Sequence, residues 1–395
     1  MVVAILAVTL FPLEARPELH DDRLSFRLLL ADFVRNVLLF LPLGVLLARR
    51  GVGIAATGLR ALALSAAIEV AQLAIPGRYA NGADLFANTA GALLGASLAR
   101  SAPYWLQPSA TAADRLALTA AAAIAVLVVG TGLLVSPALP DLTWHVGLVP
   151  ELGNLARYEG RIRSISIGDL MVTNGKARDS DRLRELWRTE VPFRIELETA
   201  TRKGPLAPLV TIHDDLHREV LFLAAEGEDL VVRGRNWAQV VGFDRPLLRL
   251  PGALENVAPG ANAAMTLRRD GHGFCVSSGE RSACPLGFTA GSGWRLVWAP
   301  LGLPAAARDW LNGVWLAAFA LPLGLWLRAS PSGATALTVA ASALLAAPLA
   351  GLLRTPGFET GAAALGLVAG MGLRMILPAR RSNSSIGLPA RGASF

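Results

Sequence analysis

The sequence predicts a polytopic α-helical membrane protein with an inserted all-β sandwich domain. Three observations predict it. Of the 395 residues, 53% are hydrophobic and only 17% are charged, and Ala, Leu and Gly dominate several runs near the length of about 20 residues that a bilayer-crossing helix needs. Most of the charge lies in residues 140–302, where runs such as RIRSISIG, FRIELET and EDLVVRGR alternate and are separated by turn residues. Alternation broken at short intervals marks a sandwich or barrel. Outside that segment the arginines cluster at the ends of the apolar runs, as membrane orientation requires.

Taken in order, hydropathy places about eight spans, near residues 1–13, 30–48, 58–75, 84–100, 115–136, 309–328, 333–353 and 360–378. The opening MVVAILAVTLFP has no basic leading region and no small-residue cleavage site, so it reads poorly as a cleaved signal peptide, and it is short for a span. The domains follow: 1–136 as a membrane domain, 140–302 as the β-sandwich, 309–378 as C-terminal membrane helices and 381–395 as a disordered tail. Arg49, Arg50 and Arg60 fall between the second and third spans, Arg100 and Arg115 between the fourth and fifth, Arg328 between the sixth and seventh, and Arg380 and Arg381 after the eighth. These are alternate loops, hence one side, the cytoplasm. Both termini are then inside and the β domain is exported, with the plasma (inner) membrane as the location. The net charge of +7 is mostly arginine used this way. No basic patch is interleaved with aromatic residues, so a nucleic-acid partner is set aside.

FLPLGVLLAR at 40–49 resembles ALPLGLWLRA at 320–329, and Pro42 to Pro76 repeats the 34-residue spacing of Pro322 to Pro356. The expectation is a degenerate 4+4 parallel repeat, with the β domain inserted in the second copy. In that alignment Glu69 falls on Leu349, Gln72 on Leu352, Arg78 on Phe358, Asp84 on Ala364 and Asn88 on Val368. Five polar positions of the first copy meet apolar residues in the second, which points to function in the first.

Those residues pair by helical spacing. Asp32 and Asn36 are four apart, Glu69 and Gln72 three, and Asp84 and Asn88 four, so each pair shares a helix face. Gly91 and Gly95 continue the face of Asn88 and permit close approach of a neighbouring helix. The loop PGRYANGAD adds Arg78, Tyr79 and Asn81 at the same end. Ionisable groups at membrane depth face a bundle interior or a water-filled cavity. The alternatives are mutual pairing that merely fastens helices, such as Arg78 with Asp84 or Glu69, and Asp84 as a helix cap. Arg78 can hold a phosphate or carboxylate bidentately.

At these residues the chain resembles the VanZ-like family of bacterial membrane proteins. The pattern is Asp-x3-Asn and Pro-Leu-Gly, then IExxQ, then PGR, then DxxxNxxG, spanning residues 31–100. The resemblance implies a cell-envelope protein, in a family associated with glycopeptide (teicoplanin) resistance. The reading is an outward pocket of Asp32, Asn36, Glu69, Gln72, Arg78, Asp84 and Asn88 that binds a membrane lipid or lipid-linked envelope precursor. The alternative is an enzyme acting on a phospholipid or polyprenyl-phosphate head group, with Glu69 or Asp84 in acid–base work. No Ser-His pair or Cys nucleophile accompanies the carboxylates, which favours a binder, and no cofactor is expected.

Within the β domain, PLVTIHDDLHREVLFLAAEGEDLVVRGR alternates strands and polar turns, and residues 190–300 resemble the concanavalin A-like sandwich of laminin-G type. That resemblance implies either contact with envelope glycan or a structural module. Cys275 and Cys284, the only cysteines, flank a Ser-Gly-Glu turn, and in an exported domain they are expected to form a disulfide. His213 and His217 flank Asp214 and Asp215 and read as a solvated turn rather than a metal site. Trp144, Trp187, Trp237, Trp294 and Trp298 serve core packing, interface anchoring or sugar stacking.

Overall fold

Apolar length and the caps that stop it decide the helices. The computed structural model describes residues 1, 5–6, 9, 24–25, 29–73, 75, 80–153, 155–200, 204–271, 273–299 and 303–377. Helix α1 (Leu30–Arg49) carries Pro42 inside it and ends before Gly51, whose positive φ closes the turn. Helices α2 (Ile54–Leu73) and α3 (Gly82–Arg100) follow, α3 opening on Asn81, whose side chain accepts from Ala83 N. A short α4 (Ala102–Leu106) leads into α5 (Ala110–Val135), capped by Ser109. After the β domain come α8 (Ala305–Trp326), α9 (Pro331–Leu345, capped by Ser330) and α10 (Gly357–Ile376). The two intervening helices, α6 (Ser180–Arg188) and α7 (Trp237–Val240), belong to the β domain.

Three helices among the described residues, α1, α2 and α5, are long and apolar enough to cross a membrane. This corrects the expected eight spans in a 4+4 parallel repeat. Helix α3 is diluted by Asp84, Asn88, Thr89 and three glycines, and α9 has only 15 residues. The stretch expected as a seventh span breaks after Leu345 into a 3-10 turn, Ala347–Ala350. Expected span 1–13 and tail 381–395 lie largely or wholly outside the described residues. The inference drawn from apolar counterparts in a second copy falls with the repeat.

Helix α3 packs along α1 at backbone contact. A Cβ on Gly91 or Gly95 would fall within the carbonyl of Val37 or Leu41, and one on Gly44 within that of Ala92. The small residues therefore set the interhelical distance. Helices α8 and α10 approach equally closely, Gly366 against Ala317 and Gly370 against Leu321. Helix α5 packs its alanines Ala117, Ala120 and Ala121 against α8 and α9.

The inserted domain is two six-stranded sheets. The first runs β11(Leu248–Leu250), β10(Asp229–Gly234), β9(Glu219–Glu226), β8(Ala207–Asp214), β3(Trp144–Leu148), β6(Gly175–Lys176). The second runs β14(Arg281–Leu286), β13(Gly273–Ser278), β12(Asn262–Asp270), β7(Phe193–Glu198), β4(Arg161–Ile167), β5(Leu170–Met171). All pairings in both are antiparallel. A two-residue parallel pair, β1(Leu24–Ser25) with β2(Ala80–Asn81), lies apart from them. The alternation seen in RIRSISI and FRIELE sends Ile165, Ile167, Phe193, Ile195 and Leu197 into one core with Trp144, Leu209, Ile212 and Leu267. Strands β8 and β9 are buried nearly throughout, because their other face carries a second apolar cluster of Phe222, Ala224, Val231 and Leu247. The expected inserted β domain is present; two sheets alone do not single out the laminin-G type. Cys275 and Cys284 form the expected disulfide across the β13–β14 hairpin.

Candidate functional site

The polar residues singled out in the sequence come together at the end of the helix group that faces the sandwich. Asp32 and Asn36 lie in the first two turns of α1, Glu69 in the last turns of α2 and Asp84 in the first turn of α3. Antiparallel neighbours place the start of one helix beside the end of the next, which is why residues distant in sequence share one level. Glu69 is 8% exposed and its Oε2 accepts a hydrogen bond from Asn81 N at 2.6 Å. Asn81 Nδ2 donates to Asp84 Oδ1 at 3.4 Å, and the Asn36 side chain also donates to Asp84. Asp32 and Glu69 both lie close enough for their charges to act on Asp84. Carboxylates from three helices therefore converge around two amides.

Asn88 lies deeper, 3% exposed, and its Nδ2 donates to Ser65 Oγ at 2.9 Å. Its Oδ1 is buried with no hydrogen-bond partner among the described residues, an expensive state that a ligand donor or water relieves. Gln72 is used differently: its Nε2 donates to the Thr9 carbonyl at 3.3 Å, fastening the N-terminal segment to α2. Arg78 and Tyr79 lie outside the described residues. Asp84 does not cap α3; Asn81 does.

Sequence reasoning passed over Arg35, which stands between Asp32 and Asn36. Its Nη2 donates to Asp32 Oδ1 at 2.7 Å and to Asp244 Oδ1 in the sandwich at 3.2 Å. Beside it the Ala31 N–H donates to the Gly242 carbonyl at 3.1 Å. The sandwich thus lies directly against the polar end of α1. Asp244 Oδ2 accepts from Ala299 N at 2.9 Å, and burial, opposed by that bond and by Arg35, holds its carboxyl above the ordinary range. The signal available in sequence was a cation at the helix position beside the two expected polar residues; its partner 209 residues away had none.

A second buried carboxylate was also missed. Glu359, 0% exposed, opens α10 and accepts from Thr289 Oγ1 at 2.7 Å, Asn312 Nδ2 at 3.0 Å and Gly291 N at 3.2 Å. Trp294 Nε1 donates to Asn312 Oδ1 at 2.8 Å. This network is fully satisfied and ties the 3-10 turn Ala290–Leu296 to α8 and α10, a structural role.

In the sandwich, Trp144, Trp187 and Trp294 are buried and cannot stack on a sugar, whereas Trp237 and Trp298 are half exposed. His213 stacks between His145 and His217. Asp214 organises the following turn, accepting from Leu216 N and Arg218 N at 3.0 Å each and from Arg218 Nε at 2.7 Å.

Residues 1–105 match the VanZ/LLP1 family. That region contains every residue of the α1–α3 cluster and stops before α5, so the β domain and the C-terminal helices lie outside the match. No curated protein and no solved structure matches the chain. The protein is a membrane protein with a VanZ-like N-terminal region.

Proposed function

We propose that the polar end of α1–α3 is an outward-facing pocket binding a lipid-linked or amphiphilic ligand of the bacterial cell envelope, and that the protein is a binder rather than an enzyme. The observation that carries this is the convergence of Asp32, Asn36, Glu69 and Asp84 beneath the sandwich, at the end of apolar helices where a lipid head group meets water. The orphaned Asn88 Oδ1 supports an occupant. In this reading Arg78 holds the ligand's anionic group and the three carboxylates discriminate its neighbouring polar groups. Arg49, Arg50 and Arg100, at the ends of α1 and α3 away from the polar cluster, favour the cytoplasm for those ends, and the disulfide favours an exported sandwich. The sandwich, in its concanavalin A-like reading, would meet envelope glycan through exposed surface rather than through its buried tryptophans.

The reading is tested by Glu69→Gln, Asp84→Asn and Arg78→Gln variants with expression and folding verified, followed by analysis of lipid-linked envelope precursors. Altered precursor binding or level is expected in each; normal levels in folded variants would overturn the pocket. The proximity of Glu69 and Asp84 around Asn81 favours one second reading, an enzyme acting on a phospholipid or polyprenyl-phosphate head group with the pair as acid and base. Turnover of a phosphorylated lipid by the purified protein, lost in Glu69→Gln, would establish it.

A further inference from the structure

The sandwich carries a separate basic cleft that shares no residue with the α1–α3 cluster. A cavity of about 560 Å³ is lined by Arg188, Arg218, Arg235 and Arg269, with Asp141 and Trp237 at its wall. Two of the four arginines are committed: Arg188 pairs with Asp141 at 2.6 Å and Arg218 with Asp214 at 2.7 Å. Arg235 and Arg269 reach no carboxylate within ion-pair distance among the described residues. Arg269 Nε is buried without a hydrogen-bond partner, and the charges of Glu190 and Asp214 act on these guanidiniums only from further off. Burial lowers the pKa of both, and Arg218 adds like-charge repulsion at Arg235. Desolvated, unpaired guanidiniums are costly unless an anion completes them.

The cleft's position identifies the anion. Pro137, two residues beyond the last residue of α5, lines it. Pro137 bridges Asn236, and Trp237 N donates to the Ser136 carbonyl at 3.1 Å. Trp237, Val240 and Val241 are exposed around this junction. Below it α5, one of the three spanning helices, exposes Val126, Val129 and Leu133 at spacings that share a face. An exposed apolar stripe on α5 thus ends next to a junction carrying an aromatic residue and the four arginines, an order that matches acyl chain, interface and head group.

We propose that this cleft binds the phosphate of an anionic phospholipid whose acyl chains lie along the Val126–Leu133 face of α5. Arg235 and Arg269 supply the charge-assisted hydrogen bonds, and Trp237 packs at the glycerol level.

The test uses the full-length protein in detergent micelles supplied with brominated phosphatidylglycerol, brominated phosphatidylcholine or inorganic phosphate, read by tryptophan quenching. Brominated phosphatidylglycerol should quench at about tenfold lower concentration than the zwitterionic lipid, the worth of about one charge-assisted contact. That preferential component should vanish in Trp237→Phe, disappear in Arg235→Gln/Arg269→Gln and partly survive in Arg235→Lys/Arg269→Lys. Equal quenching by the two lipids in the unsubstituted protein would overturn the proposal without reliance on any variant. So would an unchanged preference in a folded Arg235→Gln/Arg269→Gln protein. Displacement by inorganic phosphate at concentrations comparable to the lipid would identify a soluble-anion site and also overturn it.

Discussion

Arg35 bridges Asp32 within its own helix and Asp244 in the sandwich, at 2.7 and 3.2 Å. One side chain thereby couples the α1–α3 cluster to a domain folded from a separate stretch of the chain. The groups are partly exposed, so a double-mutant cycle of Arg35→Gln and Asp244→Asn should return a coupling of only about 0.5–1 kcal/mol. The readout is thermal unfolding of the four proteins; strict additivity would remove the contact from the stabilising interactions.

The α1–α3 contact predicts an asymmetry among glycines. Gly95→Ala places a methyl group within the Leu41 carbonyl and should cost about 1–3 kcal/mol or more through forced helix separation. Gly130→Ala on α5 meets open space and should be neutral or stabilising by roughly 0.5–1 kcal/mol. Melting temperatures of the two variants measured side by side decide it.

Glu359 holds three donors in a buried site. Glu359→Ala leaves Thr289, Asn312 and Gly291 N unpaired, at a cost of about 3–5 kcal/mol. Glu359→Gln keeps one acceptor oxygen and should cost clearly less. Thermal unfolding, with ligand binding at the α1–α3 cluster measured in parallel, separates the expected structural effect from a functional one.

Acid should weaken the sandwich in two windows. Burial, then the adjacent His145 and His217, hold the His213 imidazole below its ordinary value against the opposing charge of Asp214. The unfolded chain therefore takes up a proton first, and stability falls as pH drops below about 6.5 toward the folded-state value. Burial would raise Asp214, but its bonds from Arg218 and from the Arg218 and Leu216 N–H groups outweigh it and keep the carboxyl low. Its contribution is complete above about pH 3.9 and is lost below that. Unfolding followed from pH 7 to pH 3 should show both losses, and His213→Gln should abolish the upper one alone.

Much of this architecture was legible in local pattern. The presence and approximate extent of α1, α2 and α5 follow from apolar length, and the strands from period-two alternation. Gly91 and Gly95 announced the close helix contact, and the Cys275–Cys284 pair a bridged hairpin. The repeat misled because Pro-Leu-Gly steps and small residues recur wherever apolar helices pack tightly, with no need of eight spans. Asp32, Asn36, Glu69 and Asp84 were readable because their helical spacings and antiparallel order fix one level. Asn81 as cap, Ser65 as partner of Asn88 and Asp244 as partner of Arg35 were not, since each depends on which segments lie across from one another in space.

The chain enters the sandwich from the end of α5, at Ser136 and Pro137, and leaves it toward α8 after the turn Ala290–Leu296. Arg35 and Ala31 grip it at a third place. The sandwich therefore meets the helices at three places rather than two, and the third falls on the first two turns of α1, where Asp32 and Asn36 stand.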